Sequence, residues 1–295
     1  MLVTAAICTH DRPSEVAACL AALMPTARAA GMPVLVVDSG SPEPGAAALR
    51  DLAAAAGATL IRVDDPGLSL ARNAALDAAE TEWVVYVDDD ATPRERWAEG
   101  LTRALSSAPL DVAVIGGRIK PRWPADMSAE HVDSRWMLLL SCVDEDGTGD
   151  VARGRKVCGA NLAVRREALR TIGGFPVSLG RRGKRLISCE ESFVIERLAQ
   201  VGLRAWYDGG FAVDHHIQPE RLQLGWARRR AYWEGASRVR MLRELGRPIP
   251  WQLSLVKLGL SLPLLRARML GGGAPEAALR YEMARGSLAE QLGVA

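Results

Sequence analysis

The feature that most constrains this chain is a series of short apolar runs, each without polar alternation and each separated from the next by a helical segment. The runs are Val3 to Cys8, Val34 to Val37, Thr59 to Val63 and Trp83 to Val87; between them lie helical patterns over Ser14 to Leu23, Pro44 to Ala56 and Ser69 to Ala79. A strand with no polar face must be covered on both sides, and the arrangement that does so is a parallel sheet flanked by helices. Right-handed crossovers then bring the C-terminal ends of the strands to one edge, where ligands of such sheets bind. Those ends carry Thr9-His10-Asp11-Arg12, Asp38-Ser39-Gly40-Ser41, Asp64-Asp65 and Asp88-Asp89-Asp90. Every strand therefore terminates in polar chemistry.

Charge and cysteine usage narrow the function classes. The 37 Lys and Arg nearly balance 35 Asp and Glu, a net +2, so there is no basic field for nucleic acid. Five scattered cysteines with no CxxC fit neither a disulfide framework nor a zinc ribbon and suit a reducing compartment. The opening MLVTAAICTHDRP meets charge at Asp11 and reads as a first strand and not as a signal peptide, so the expectation is a cytoplasmic protein. Its longest apolar stretch, Trp251 to Leu265, is broken by Gln252, Lys257 and Pro263, short of the 18 or so uninterrupted residues that a membrane span needs.

At 295 residues the chain has room for one large domain or two small ones. Three parts are expected: residues 1–110 with the βα pattern, a less regular 111–220, and a helical extension over 221–295. The extension has a basic run (Arg228, Arg229, Arg230, Arg238, Arg240, Arg243), then the apolar Trp251 to Leu265, then Gly271-Gly272-Gly273 and a last helix. It reads either as an appendage packed on its own domain or on a second subunit, a homodimer, or as a peripheral contact with the inner membrane face.

Three carboxylates closing the buried strand in VVYVDDDATP raise one another's pKa unless a cation neutralises them. Hard Mg2+ or Mn2+ takes oxygen ligands and commonly shares them with a substrate diphosphate; an acidic turn leading to Pro93 is the plainer reading. A GxGxxG after the first strand, which a dinucleotide-binding fold requires, is absent.

Six segments in colinear order, MLVTAAICTHDRP, VLVVDSGS, DDPGLSLARNAAL, VVYVDDDATP, CGANLAVRREALRTIGGF and CEESFVIERLAQVGLRAWYDGGFAVDHH, resemble family 2 glycosyltransferases of the GT-A fold over about residues 2–216. The resemblance implies an α/β, Rossmann-like, mostly parallel sheet flanked by helices. It also implies transfer of a sugar from a nucleoside diphosphate donor to an acceptor hydroxyl with inversion, assisted by Mn2+ or Mg2+. UDP is the default nucleotide, with dTDP and GDP as alternatives. Thr9, Asp11, Arg12 and Asp38 would line the nucleoside pocket, with Asp65 near the base and Arg72 near base or phosphate. Asp88 and Asp90 would be the outer members of the DxD motif, Asp90 the direct metal ligand, Asp88 near ribose or metal, and Asp89 the variable middle residue beside the donor.

In the same comparison Glu191 takes the place of the catalytic base, with Glu190 in reserve, and His215 approaches the metal or the diphosphate. Read as residues alone, Asp38 and Asp65 also suit turns or helix caps, Glu190-Glu191 suits the positive end of a helix, and the His pair suits a hydrogen-bonded strand end. Two positions depart from the family pattern: Ser39 stands where a second Asp is common, and Ala75 where Gly is common. The chain has QPERL at 218–222 in place of the QxxRW of polymerising relatives, which favours single transfer. The competing functions are a catalytically silent nucleotide-sugar-binding scaffold and a sugar nucleotidyltransferase, although the latter's Gly-rich basic loop is missing after the first strand.

Overall fold

The computed structural model describes residues 3–153, 156–183, 185–269 and 275–295; the Gly271-Gly272-Gly273 run lies outside the described residues. The chain divides into two compact units, one formed by residues 1–122, 141–177 and 194–216, the other by 123–140, 178–193 and 217–295.

The first unit is built on one mixed sheet. Strands β1 (Val3–Thr9), β2 (Val34–Ser39), β3 (Thr59–Val63) and β4 (Trp83–Asp88) run parallel in the order β3-β2-β1-β4. Beyond β4 the order continues through β8 (Asn161–Arg165), β6 (Val112–Arg122), β9 (Arg204–His216) and β5 (Ala91–Pro93), with β7 (Thr148–Asp150) also pairing β9. Strand β8 is antiparallel to both β4 and β6, and that reversal ends the parallel half.

Successive residues of a strand point to opposite faces, and here they feed two separate cores. On β4, Trp83, Val85 and Val87 join the core under α1 (Pro13–Ala29) and α4 (Trp97–Ser107), whereas Val84 and Tyr86 join the core with α3 (Leu68–Ala78) and α6 (Arg166–Thr171). The absence of alternation in the sequence is the direct record of this two-sided burial. The helix α2 (Gly45–Ala56) completes the first layer with Leu49 and Ala53.

Two elements outrun their sequence signals. Pattern alone ends the first helix at Leu23, but α1 continues through Pro25 to Ala29, because Met24 and Ala27 are buried and packing outweighs the one backbone bond that proline removes. Strand β6 extends beyond the apolar run Val112 to Ile115, through Gly116-Gly117 to Arg122. A Cβ at Gly117 would sit 2.1 Å from Asn161 Nδ2 and 2.5 Å from a Phe211 ring carbon, so glycine is required by the close approach of β8 and β9. Asn161 uses that space to donate to the carbonyls of Arg118 and Phe211, both at 3.1 Å, while accepting from Trp97 Nε1.

The second unit contains α5 (Ser134–Leu139), the start of α7 (Glu190–Gln200), and the helices α8 (Leu224–Glu244), α9 (Trp251–Met269) and α10 (Pro275–Gln291). Helices α8 and α10 touch backbone to backbone: a Cβ at Gly235 would lie 1.9 Å from the Met283 carbonyl oxygen, and one at Gly286 would lie 1.9 Å from that of Tyr232. Around this contact the buried Glu282 pairs with Arg228 and Arg285, and the buried Glu290 pairs with Arg240 and Arg243. Much of the basic run of the extension is thus internal ion pairing. Among the described residues no helix is long and apolar enough to cross a membrane.

Replacing Gly286 by Ala is expected to destabilise the chain by about 1–3 kcal/mol through overpacking against fixed backbone. Gly259→Ala on α9, where nothing lies within 4 Å, should be neutral or stabilising by up to ~1 kcal/mol. Urea denaturation of both variants measures the difference.

Candidate functional site

Parallel pairing sets the site's frame. Thr9 is in register with Asp38, and Cys8 with Asp88, so the polar ends of β1, β2 and β4 lie side by side at one edge of the sheet. Antiparallel pairing of β5 with β9 places Ala91 opposite His215, which carries the imidazole to the residue just before Ala91.

The three aspartates that follow one another at the end of β4 meet different sets of partners. Asp88, whose side chain is one third exposed, is reached by Arg72 at 3.5 Å. Asp89 accepts from the Thr9 hydroxyl at 2.7 Å and from Arg12 at 2.5 Å. Asp90 takes the other side of the Arg12 guanidinium at 3.3 Å and faces His215 Nε2 at 3.2 Å. Arg12 therefore bridges two buried carboxylates whose charges would otherwise repel. Burial pushes the Asp89 carboxyl up, to about 7, and Asp90 and Asp88 add to the rise, against the opposing pull of Arg12 and the Thr9 bond.

Of the two histidines His215 is the one at Asp90; its Nδ1 is 3.8 Å from the Cys142 sulfur. His216 instead pairs with the Thr92 hydroxyl at 2.8 Å, and burial followed by the nearby Arg122 lowers its pKa. Arg72 is buried, its guanidinium 5.8 Å from the Tyr86 ring centre and 5.4 Å from that of Phe175. Held there, it meets the edge of the sheet through Asp88.

The remaining positions singled out from sequence fall elsewhere on the same edge. Asp38 is fully buried, accepting from the Ser41 backbone N–H at 3.0 Å and from Arg62 at 2.5 Å. Asp11 adopts φ 53°, donates its N–H to Ser41 Oγ, and lays its carboxylate against Gly45 in the first turn of α2. Asp65 is exposed in the loop after β3. Sequence reading passed over Arg62 and Cys142. Arg62 carried a usable signal, a lone cation inside the apolar run TLIRV, and β2–β3 pairing sets it beside Asp38. Cys142 carried none.

Glu190 and Glu191 belong to the second unit, in the first turn of α7. What fixes that turn is the C-terminal extension. Ser188 donates its hydroxyl to Glu234 at 2.9 Å and its N–H to Ser237 Oγ at 3.0 Å, both on α8. Cys189 and Phe193 pack with Met241 and Leu245. Cys189 sits at φ 75°, a conformation costly for a residue with a Cβ and kept only where the surroundings over-determine it.

The donor chemistry of Asp88, Asp90 and His215, two carboxylates and an imidazole, suits Mn2+ or Mg2+ with further oxygens from a diphosphate. Among the described residues no group of three or more His, Cys, Asp or Glu is arranged so that it could hold a metal ion.

The glycosyl transferase family 2 model matches residues 4–173. The chain belongs to glycosyl transferase family 2. Within the family it is similar to the glucosyl-dolichyl phosphate glucuronosyltransferase of Haloferax volcanii, 28% identical over 177 residues, 59% of this chain and 56% of that protein. It is also 28% identical over 193 residues to the pre-mycofactocin glycosyltransferase of Mycobacterium tuberculosis, covering 64% of this chain and 38% of that one. The matched part thus spans about half the length of these family 2 relatives or less. Among solved structures, a mannosyltransferase from Pyrobaculum calidifontis in complex with GDP-Man and Mn2+ shares the fold, with TM-score 0.59 at 21% identity over 99% of this chain and 71% of that one. The α/β architecture expected from the strand pattern is therefore that of the GT-A glycosyltransferases.

Because Asp89 binds its proton more tightly when folded than the ordinary value of 3.8, stability falls as pH rises from about 4 through about 7. Asp89→Asn removes that proton exchange. Between about pH 5 and pH 8 the wild type should lose at least ~1 kcal/mol relative to the variant, read from urea midpoints in chelator-treated protein.

Proposed function

We propose that this family 2 protein transfers one sugar from a nucleoside diphosphate sugar to an acceptor hydroxyl with inversion of the anomeric centre, assisted by a divalent metal. The observation that carries the reading is the end of β4, where three carboxylates at a ligand-binding sheet edge are matched to Arg72, Arg12 and His215. An acidic turn would leave its carboxylates to water; here two of the three are buried and cation-bound.

Asp88, Asp90 and His215 would hold the metal, which supplies positive charge to the departing diphosphate. Arg12, bridging Asp89 and Asp90, offsets their repulsion and holds the two carboxyls in place. Thr9, Asp11, Asp38 and Asp65 line the nucleoside side, with Arg62 fixing the Asp38 carboxylate. Arg72 positions Asp88 from beneath. Single displacement needs a carboxylate to take the acceptor proton on the face opposite the leaving group, and Glu191 is assigned that role, with Glu190 beside it. UDP is the donor nucleotide of first choice, with dTDP and GDP behind it; the GDP-Man and Mn2+ held by the Pyrobaculum neighbour support a metal-assisted nucleotide sugar in this fold.

The test is a thermal-shift screen of UDP, dTDP, GDP and CDP with and without Mn2+, followed by hydrolysis of the matching sugar nucleotide. A folded-state ligand at about 100 times its Kd adds about 2.7 kcal/mol of apparent stability, and the shift should require Mn2+ and vanish in Asp90→Ala. Glu191→Gln should lower kcat by about 10²–10⁴ with little change in the donor KM. A shift without hydrolysis or transfer would return the chain to the silent nucleotide-sugar-binding reading, and no nucleotide-dependent shift in the wild type would overturn the donor assignment.

A further inference from the structure

Helix α9 is turned inside out. Among its described side chains the buried ones are the polar Ser254 and Ser261, spaced seven apart and so on one stripe of the helix. Its exposed residues include Trp251, Leu253, Leu255, Val256 and Leu260, between 42% exposed at Leu255 and 71% at Leu260. A helix resting on its own domain in water does the opposite, burying its leucines and showing its serines. The small serines instead suit the side that packs on α10, with Ser261 Oγ satisfied by the Lys257 carbonyl at 2.7 Å. A contiguous apolar face of this kind marks a surface that is covered in use.

The sequence of the segment says by what. From Leu245 to Ala274 it contains no Asp or Glu and four cations, in a chain whose overall charge is nearly balanced, and Lys257 among them is exposed beside Val256. A second copy docking through this face would bring like charges together. An anionic lipid surface meets both requirements at once, taking the leucines among its acyl chains and the cations among its headgroups. Among the described residues no helix is long and apolar enough to cross a membrane, so the contact argued for is one along the interface.

We propose that α9 is an interfacial membrane anchor, seating the second unit on a bilayer leaflet rich in anionic phospholipid. Three of the α8 arginines, Arg228, Arg240 and Arg243, are held by α10. The anchor is independent of the transferase reading and is tested without it.

Full-length protein is floated with vesicles of phosphatidylcholine alone and of phosphatidylcholine with about one third phosphatidylglycerol, and its mass in solution is measured by sedimentation. Binding to the anionic vesicles is expected to exceed binding to the neutral ones by about 10-fold or more. The double variant Leu255→Glu/Leu260→Glu should lose that binding by at least ~10-fold, and Lys257→Gln should weaken it about 5-fold on anionic vesicles only. Both positions are exposed, so the variants should keep the wild-type melting temperature. Absence of flotation with either vesicle overturns the proposal. So does equal binding to both. A dimer in solution that the double variant converts to monomer assigns the face to a second copy and overturns it as well.

Discussion

Everything at the candidate site depends on keeping ionisable groups buried at the end of an apolar strand. Three consecutive aspartates follow a strand covered on both faces, and such a cluster is stable only if each carboxylate has its own source of positive charge or donated hydrogen bonds. The protein supplies these from separate parts of the chain: Arg12 from the start of α1, Thr9 from the end of β1, Arg72 from α3 and His215 from β9. The sheet order is what makes this feasible. With β1 between β2 and β4, and β9 folded back on β5, the contributors converge although they span more than two hundred residues.

The second unit has a logic of its own. Its α8–α10 pair is held by two facing glycines and by buried glutamates that collect arginines, so a run that looks basic in sequence is largely neutralised within the fold. The same α8 pins Ser188 and packs on Cys189 and Phe193, fixing the turn from which Glu190 and Glu191 project. The extension is thereby tied to the proposed chemistry: it sets the first turn of α7. With α9 turning its leucines outward, one group of helices both positions a carboxylate pair and offers an apolar face.

Much of the first unit was legible in the chain. Strand β3 coincides with its expected span, β1, β2 and β4 each gain only one or two residues at the polar end, and the pattern of uniformly apolar runs implied the two cores that β4 feeds. Packing carried two elements beyond their apolar patterns, α1 through Pro25 and β6 through Gly116-Gly117. The partners of the site residues were mostly not legible. Nothing local marks Phe175 as a ring against which Arg72 lies, or Cys142 as the neighbour of His215, because these contacts join segments about 70 or more residues apart.

Local periodicity and residue chemistry determined the parallel, helix-covered sheet and the polar strand ends at one edge of it, since burial patterning and strand-end polarity are properties of short segments, and the resemblance to family 2 singled out the aspartates, arginines and histidine as candidates. Only the tertiary structure decided which cation serves which carboxylate, which of two adjacent histidines meets Asp90, and that α9 shows its apolar side to solvent. Those outcomes depend on strand register and helix rotation. A shift of one residue along a strand exchanges the two faces, and a half turn of a helix exchanges leucine for serine, so they are settled by the summed packing of the whole chain and by no short stretch of it.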